Sequence, residues 1–241
     1  MDRPPVPERH LRRLPLAAQG RQRPAAINIT EILGVNVHIR AVSDRYAADG
    51  CVVLAPDLFW RTQPRIELTH DTAGVAKGIE LAQETNIDLV VADIAATAGQ
   101  LRPRPKVAGK VAVSGYCLGS DFATYGRRDG QYRRGRRLYG CGIQSCPDFV
   151  DKIAGPIVFH FAENDHAIRL SAGDKVKARL ASCDNATFHV YPGAGLTVAD
   201  FGITERGVRD RSTATLQWLE MLAAAVRLVR GQWPHGVRHW C

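Results

Sequence analysis

The sequence predicts an α/β fold with a mostly parallel sheet and helices on both faces. Three observations carry this. Short apolar, β-rich runs alternate with segments of helical spacing, which is the order of a parallel sheet with crossover helices. The 241 residues are 45% hydrophobic, enough to bury a sizeable core in one large domain or at most two small ones. No stretch approaches the roughly 20 uninterrupted apolar residues that span a bilayer.

The elements follow in order. Ala25 to Thr30 and Gly50 to Ala55 read as buried strands, and Val37 to Ala48 between them has helical spacing. Asn86 is placed to cap a helix through Ile87, Leu89, Val90, Val91, Ile94 and Ala95. Lys110 to Ser114 is the next strand. Pro156 to Phe161 and Ala186 to Tyr191 are two more, separated by a helix over Ser171 to Ser182. Leu216, Leu219, Leu222 and Ala223 lie on one stripe of a last helix, Ser212 to Arg230. The expected organisation is a basic, Pro/Arg-rich segment (1–23), one α/β domain (24–230) and a polar, aromatic tail (231–241). Within the domain, 125–137 is irregular and Arg-rich, with no apolar stripe. An insertion and a local shift of reading frame both account for that stretch.

Composition excludes several classes. Six scattered Cys (51, 117, 141, 146, 183, 241) form no CxxC pair and fit no zinc pattern, so reduced thiols are expected. Leu14 to Ala18 is too short for a signal h-region, so a cytoplasmic protein is expected. The net charge of +8 is concentrated in one run, Arg127 to Arg137, where six arginines face Asp129 alone. No nucleic-acid motif accompanies it, and a solvated loop is the simpler reading. Neither nucleic acid nor membrane is an expected partner, and a monomer is expected.

The chemistry-bearing stretch is Val111-Ala-Val-Ser-Gly-Tyr-Cys117-Leu-Gly-Ser120. A β-branched run ends in Gly115-x-Cys117-x-Gly119, the spacing of a nucleophile elbow with sulfur in place of the serine oxygen. The turn requires flanking residues without a Cβ and aims the next helix's N-terminus at the side chain, which favours thiolate. A buried structural Cys at a strand end is the alternative.

With that elbow stand Glu31-Ile-Leu-Gly-Val-Asn36, Ala55-Pro-Asp-Leu-Phe-Trp60, Gly142-Ile-Gln-Ser-Cys146 and Phe159-His-Phe-Ala-Glu-Asn-Asp165-His166. Together they resemble the dienelactone hydrolase family, cysteine-based members of the α/β-hydrolase fold. The resemblance runs from about Pro24 to Trp218, with a gap at the Arg-rich segment. It implies hydrolysis of small lactones or esters through an acyl-enzyme, with no cofactor and no metal. It assigns Cys117 as nucleophile, Asp165 as triad acid, Glu31 as the carboxylate beside the resting thiol, and the amides of Leu118 and Ile32 as the oxyanion hole. Read without the resemblance, Asp165 is equally a turn or cap residue and Glu31 a solvated loop carboxylate.

The chain departs from that pattern twice. The family's triad His falls in an Ala-Gly-His step, and here the step is Ala194-Gly195-Leu196. Leucine accepts no proton, so the expected base position is empty of one. His166, His160 and His189 are poor substitutes by position. Four residues beyond, where the family carries a pocket arginine, stands Asp200. Arg61 and Arg65 follow Trp60, but neither matches the family's other pocket arginine. An impaired enzyme and a non-catalytic binding or vestigial relative are therefore both open.

Overall fold

The computed structural model describes residues 23–48, 50–125, 134–137, 157–165, 168–181, 183 and 186–195. Six strands and five helices are described: β1 (Arg23–Ile29), α1 (Val37–Ala48), β2 (Val52–Leu54), α2 (Thr72–Glu84), α3 (Ile87–Leu101), β3 (Val107–Gly115), α4 (Leu118–Tyr125), β4 (Arg134–Arg137), β5 (Ile157–Asn164), α5 (Leu170–Arg179) and β6 (Ala186–Gly195). One sheet has the order β2-β1-β3-β4 and a second pairs β5 with β6. Every pairing between these strands is parallel. β5 lies beside β4, so the second sheet neighbours the first.

β1 and β5 are buried on both faces over most of their length, as parallel strands covered by helices on either side are. Ala25, Ile27 and Ile29 of β1 pack with Val111 and Val113 of β3 and with Val90, Ile94, Ala98 and Leu101 of α3. Those α3 positions recur at helical spacing and form one stripe. The other face of the molecule buries Ile39, Val42 and Tyr46 of α1 with Phe159 and Phe161 of β5 and Val176 of α5. Between the faces sits a polar tie. Asn28 Nδ2 donates to Ser43 Oγ at 2.9 Å, and the Ser114 hydroxyl donates to Asn28 Oδ1.

The mostly parallel α/β architecture is the one expected, and the predicted strands and helices that fall within the described residues appear with shifted ends. Asn86 caps α3 as expected, its Oδ1 accepting from Leu89 N at 3.2 Å. α2 had no counterpart in the sequence reading. Its inward face consists of Gly74, Gly78 and Leu81, too small a stripe to stand out, and Asp71 caps it by accepting from Gly74 N at 2.7 Å. Part of the Arg-rich stretch is also more regular than expected. Arg134–Arg137 pairs with Ala112 to Gly115 as a strand. A parallel ladder needs only main-chain donors and acceptors, so it tolerates a segment without apolar periodicity. The helix expected at Ser212 to Arg230 and both terminal segments lie outside the described residues, apart from Arg23 at the start of β1.

The elbow after β3 is locked against the end of β1. A Cβ on Gly119 would lie 2.4 Å from Thr30 O and 2.6 Å from Ile29 O, and one on Gly115 would lie 2.2 Å from Gly119 O. These are backbone atoms that cannot rotate away. Gly119→Ala should therefore destabilise the fold by about 1–3 kcal/mol, the usual range for overpacking. A urea midpoint equal to the parent's would show that the elbow has room to give.

Candidate active site

The carboxyl edge of the sheet collects the chemistry. Ile29 of β1 is level with Gly115 of β3, which is level with Arg137 of β4. The chain leaves β1 through Thr30 and Glu31 and leaves β3 through Tyr116 and Cys117, side by side. The Tyr116 amide donates to Ile29 O at 3.2 Å and joins the two exits.

Cys117 sits at φ 50°, in the left-handed region that side chains rarely adopt. Arg65, at φ 63°, is the other non-glycine residue described there. The turn closes through Gly119 N to Tyr116 O and Ser120 N to Cys117 O, each 2.9 Å, and through Ser120 Oγ to Gly115 O at 2.8 Å. Tyr116 and Ser120 are buried, while Cys117 between them is partly exposed. Leu118 opens α4, so its amide belongs to the helix's first turn, where main-chain donors point outward along the axis.

Glu31 has three polar neighbours. Its Oε1 accepts from Asn36 Nδ2 at 3.0 Å and lies 3.2 Å from His70 Nε2 and 3.5 Å from His38 Nδ1. Burial by itself would raise its pKa. The hydrogen bonds from His38, His70 and Asn36, with the charge of His38, outweigh burial and hold the carboxyl far below the usual carboxylate range. Glu31 is thus fixed inside a cluster rather than solvated on a loop. Asn36 also caps α1, its Oδ1 accepting from Ile39 N at 3.0 Å. The His38 ring meets the Tyr116 ring edge to face with centroids 6.0 Å apart, which links the cluster to the elbow.

Asp165 is buried one residue past β5, and its Oδ1 accepts from Ile168 N at 2.8 Å. The turn role weighed from sequence is therefore present, at the strand-end position the resemblance requires. Gly193 N donates to Glu163 Oε2 at 2.7 Å and ties the end of β6 to that of β5. His160 is buried, its Nδ1 2.7 Å from Tyr191 Oη, and stacks on His189 of the paired strand. Both belong to the strands, as their positions suggest. Leu196, His166 and Asp200 lie outside the described residues.

Arg61 pairs through both terminal nitrogens with Asp93 of α3 and lies over the Trp60 ring, 4.2 Å from its centroid. Trp60 Nε1 donates to the same Asp93 at 2.9 Å. This guanidinium braces a loop against a helix. Sequence reasoning missed His38 and His70. His38 stood two residues after Asn36 in the quoted motif, but nothing in the sequence links His70 to it.

A parallel sheet carrying a strand–turn–helix elbow at its carboxyl edge, with helices on both faces, defines an α/β-hydrolase. The chain belongs to the dienelactone hydrolase family, whose model matches residues 14–224. It is 30% identical over 210 residues to a carboxymethylenebutenolidase of Pseudomonas sp. (strain P51), covering 87% of each chain. It is 27% identical over 201 residues to carboxymethylenebutenolidase 1 of Cupriavidus pinatubonensis, covering 83% of this chain and 86% of the relative. Its fold matches the crystal structure of a dienelactone hydrolase candidate from Klebsiella pneumoniae subsp. pneumoniae with a TM-score of 0.71 at 22% identity, over 90% of each chain. A dienelactone hydrolase-like promiscuous phosphotriesterase from metagenomic libraries matches with a TM-score of 0.69 at 18% identity, over 87% of this chain and 88% of that one.

The low pKa of Glu31 has a thermodynamic consequence. A carboxyl depressed in the folded state contributes stability that is complete above its unfolded pKa of roughly 4.3 and is lost as pH falls from there toward the folded value. Glu31→Gln should therefore be less stable than the parent by roughly 2 kcal/mol at neutral pH. That gap should narrow as the solution is acidified below the ordinary carboxylate range. Denaturant melts of both proteins across the acid range check it, and a gap independent of pH would contradict the assignment.

Proposed function

We propose that this chain is a carboxylic ester hydrolase of the carboxymethylenebutenolidase type, acting on small lactones or esters through Cys117. The observation that carries the reading is a partly exposed thiol at φ 50°, at the sheet's carboxyl edge and the mouth of a helix. Strained backbone at such a place is more characteristic of a working nucleophile than of a packing cysteine. The relatives named carboxymethylenebutenolidase support the substrate class.

In the proposed reaction the Cys117 thiolate adds to the carbonyl carbon. The amides of Leu118 and Ile32 hold the resulting oxyanion, and such a donor is worth about 3 kcal/mol. Collapse breaks the bond to the leaving oxygen, which takes up a proton, and leaves a thioester. Water then hydrolyses the thioester and frees the thiol. Glu31 modulates the thiol from the neighbouring strand exit, and Asp165 would orient a base. The base position holds Leu196, so turnover is weak. With Arg61 committed to Asp93 and Asp200 at a family arginine position, neutral esters suit this chain better than acidic lactones.

Leu196 also favours a second reading, a family member that keeps the fold as a binding or vestigial protein. Two measurements separate them. Leu196→His should raise turnover of a neutral aryl ester by roughly 10²–10⁴-fold, the usual contribution of a general base. No gain in a variant that melts like the parent would count against this mapping of the triad. A thiol-reactive probe near neutral pH should label Cys117 faster than the other five cysteines. Labelling at or below their rate would favour the non-catalytic reading.

A further inference from the structure

Glu31, His38 and His70 reach one point from three separate pieces of chain. Glu31 follows β1, His38 lies in the first turn of α1, and His70 immediately precedes the cap of α2. Their ligand-capable atoms all lie within 4.8 Å of one another. We propose that these three residues form a binding site for one divalent transition-metal ion of the zinc class.

The donor chemistry selects the ion. Two imidazole nitrogens and one carboxylate oxygen suit zinc, cobalt or nickel, whereas magnesium and calcium require oxygen ligands throughout. The geometry fits as well. Zinc bonds of about 2.0–2.2 Å place two ligand atoms of a tetrahedron roughly 3.4 Å apart. Glu31 Oε1 stands 3.5 Å from His38 Nδ1 and 3.2 Å from His70 Nε2, so both edges through the carboxylate already have that length. The remaining His–His edge is no longer than 4.8 Å, and rotation of His70, whose side chain is 36% exposed, brings it to the length of the other two.

The surroundings hold the donors in place. Asn36 Nδ2 donates to the same Glu31 oxygen at 3.0 Å, an outer contact of the kind that orients a ligating carboxylate. Asn36 is itself anchored as the cap of α1, and the His38 ring rests against the buried Tyr116 ring. Metal binding exchanges the two imidazole hydrogen bonds to Glu31 for two metal–nitrogen bonds. Each imidazole then carries its proton on the other ring nitrogen. Water from the open His70 side supplies the fourth ligand. The resemblance drawn from sequence implied no metal; these three donors come together only on folding, which brings His70 to Glu31 and His38.

The test uses full-length, tag-free protein carrying Cys117→Ser, so that it is independent of the hydrolase chemistry. Titration calorimetry with Zn²⁺ should show one saturable site per chain. Co²⁺ should give the visible bands of a tetrahedral nitrogen–oxygen site without a thiolate charge-transfer band. His38→Ala and His70→Ala should each weaken binding by more than the roughly 10–100-fold that loss of an outer-shell contact costs. His70→Gln serves if His38→Ala fails to fold, because position 70 borders solvent. Ca²⁺ should not compete. Absence of saturable Zn²⁺ binding would show a hydrogen-bonded cluster only and overturn the proposal. So would affinity unchanged in the His70 variants, or a thiolate band with Co²⁺.

Discussion

The contact between the elbow and the end of β1 governs the rest of this structure. Gly119 lets the first turn of α4 lie directly on the Ile29 and Thr30 carbonyls, and the Tyr116 amide bonds across to the same strand. Two strand exits are thereby held side by side. One presents Cys117 and the other Glu31. Any side chain at position 119 would push them apart, so the spacing of glycines around the cysteine is a packing requirement first. The chemistry is built on that close approach.

Around Glu31 the protein resolves a conflict between burial and charge. A carboxylate taken out of water is costly unless donors surround it. Here Asn36, His38 and His70 supply them, and their hydrogen bonds outweigh the burial that opposes ionisation. The same residues tie β1, α1 and the start of α2 together. A polar cluster of this kind fixes geometry in a way that an apolar patch cannot, since each partner must meet one particular atom.

Much of this was legible in the sequence, because local rules and tertiary demands coincide. The β-branched run before Gly115 marks β3, Asn86 marks the start of α3, and the glycines of the elbow report a backbone constraint directly. α2 was hidden because its packed face is built from Gly74 and Gly78, where close approach replaces apolar bulk. β4 was hidden because a parallel ladder is made by main chain, and Arg134–Arg137 carries no apolar pattern. His70 was hidden for a different reason. Its partners lie more than thirty residues away, and no spacing rule reaches across two intervening elements. The role of Arg61 was equally invisible, since its commitment to Asp93 depends on how a loop lies over α3.

The conformation at position 117 carries a consequence for the evolution of this chain. A glycine there would relax the backbone and raise the free energy of unfolding, so a selection for robustness alone would discard the sulfur. On the proposed function, the unfavourable torsion at Cys117 is a compromise that gives up durability to keep the sulfur accessible. Were the proposed chemistry given up, a glycine at this codon would relieve that torsion.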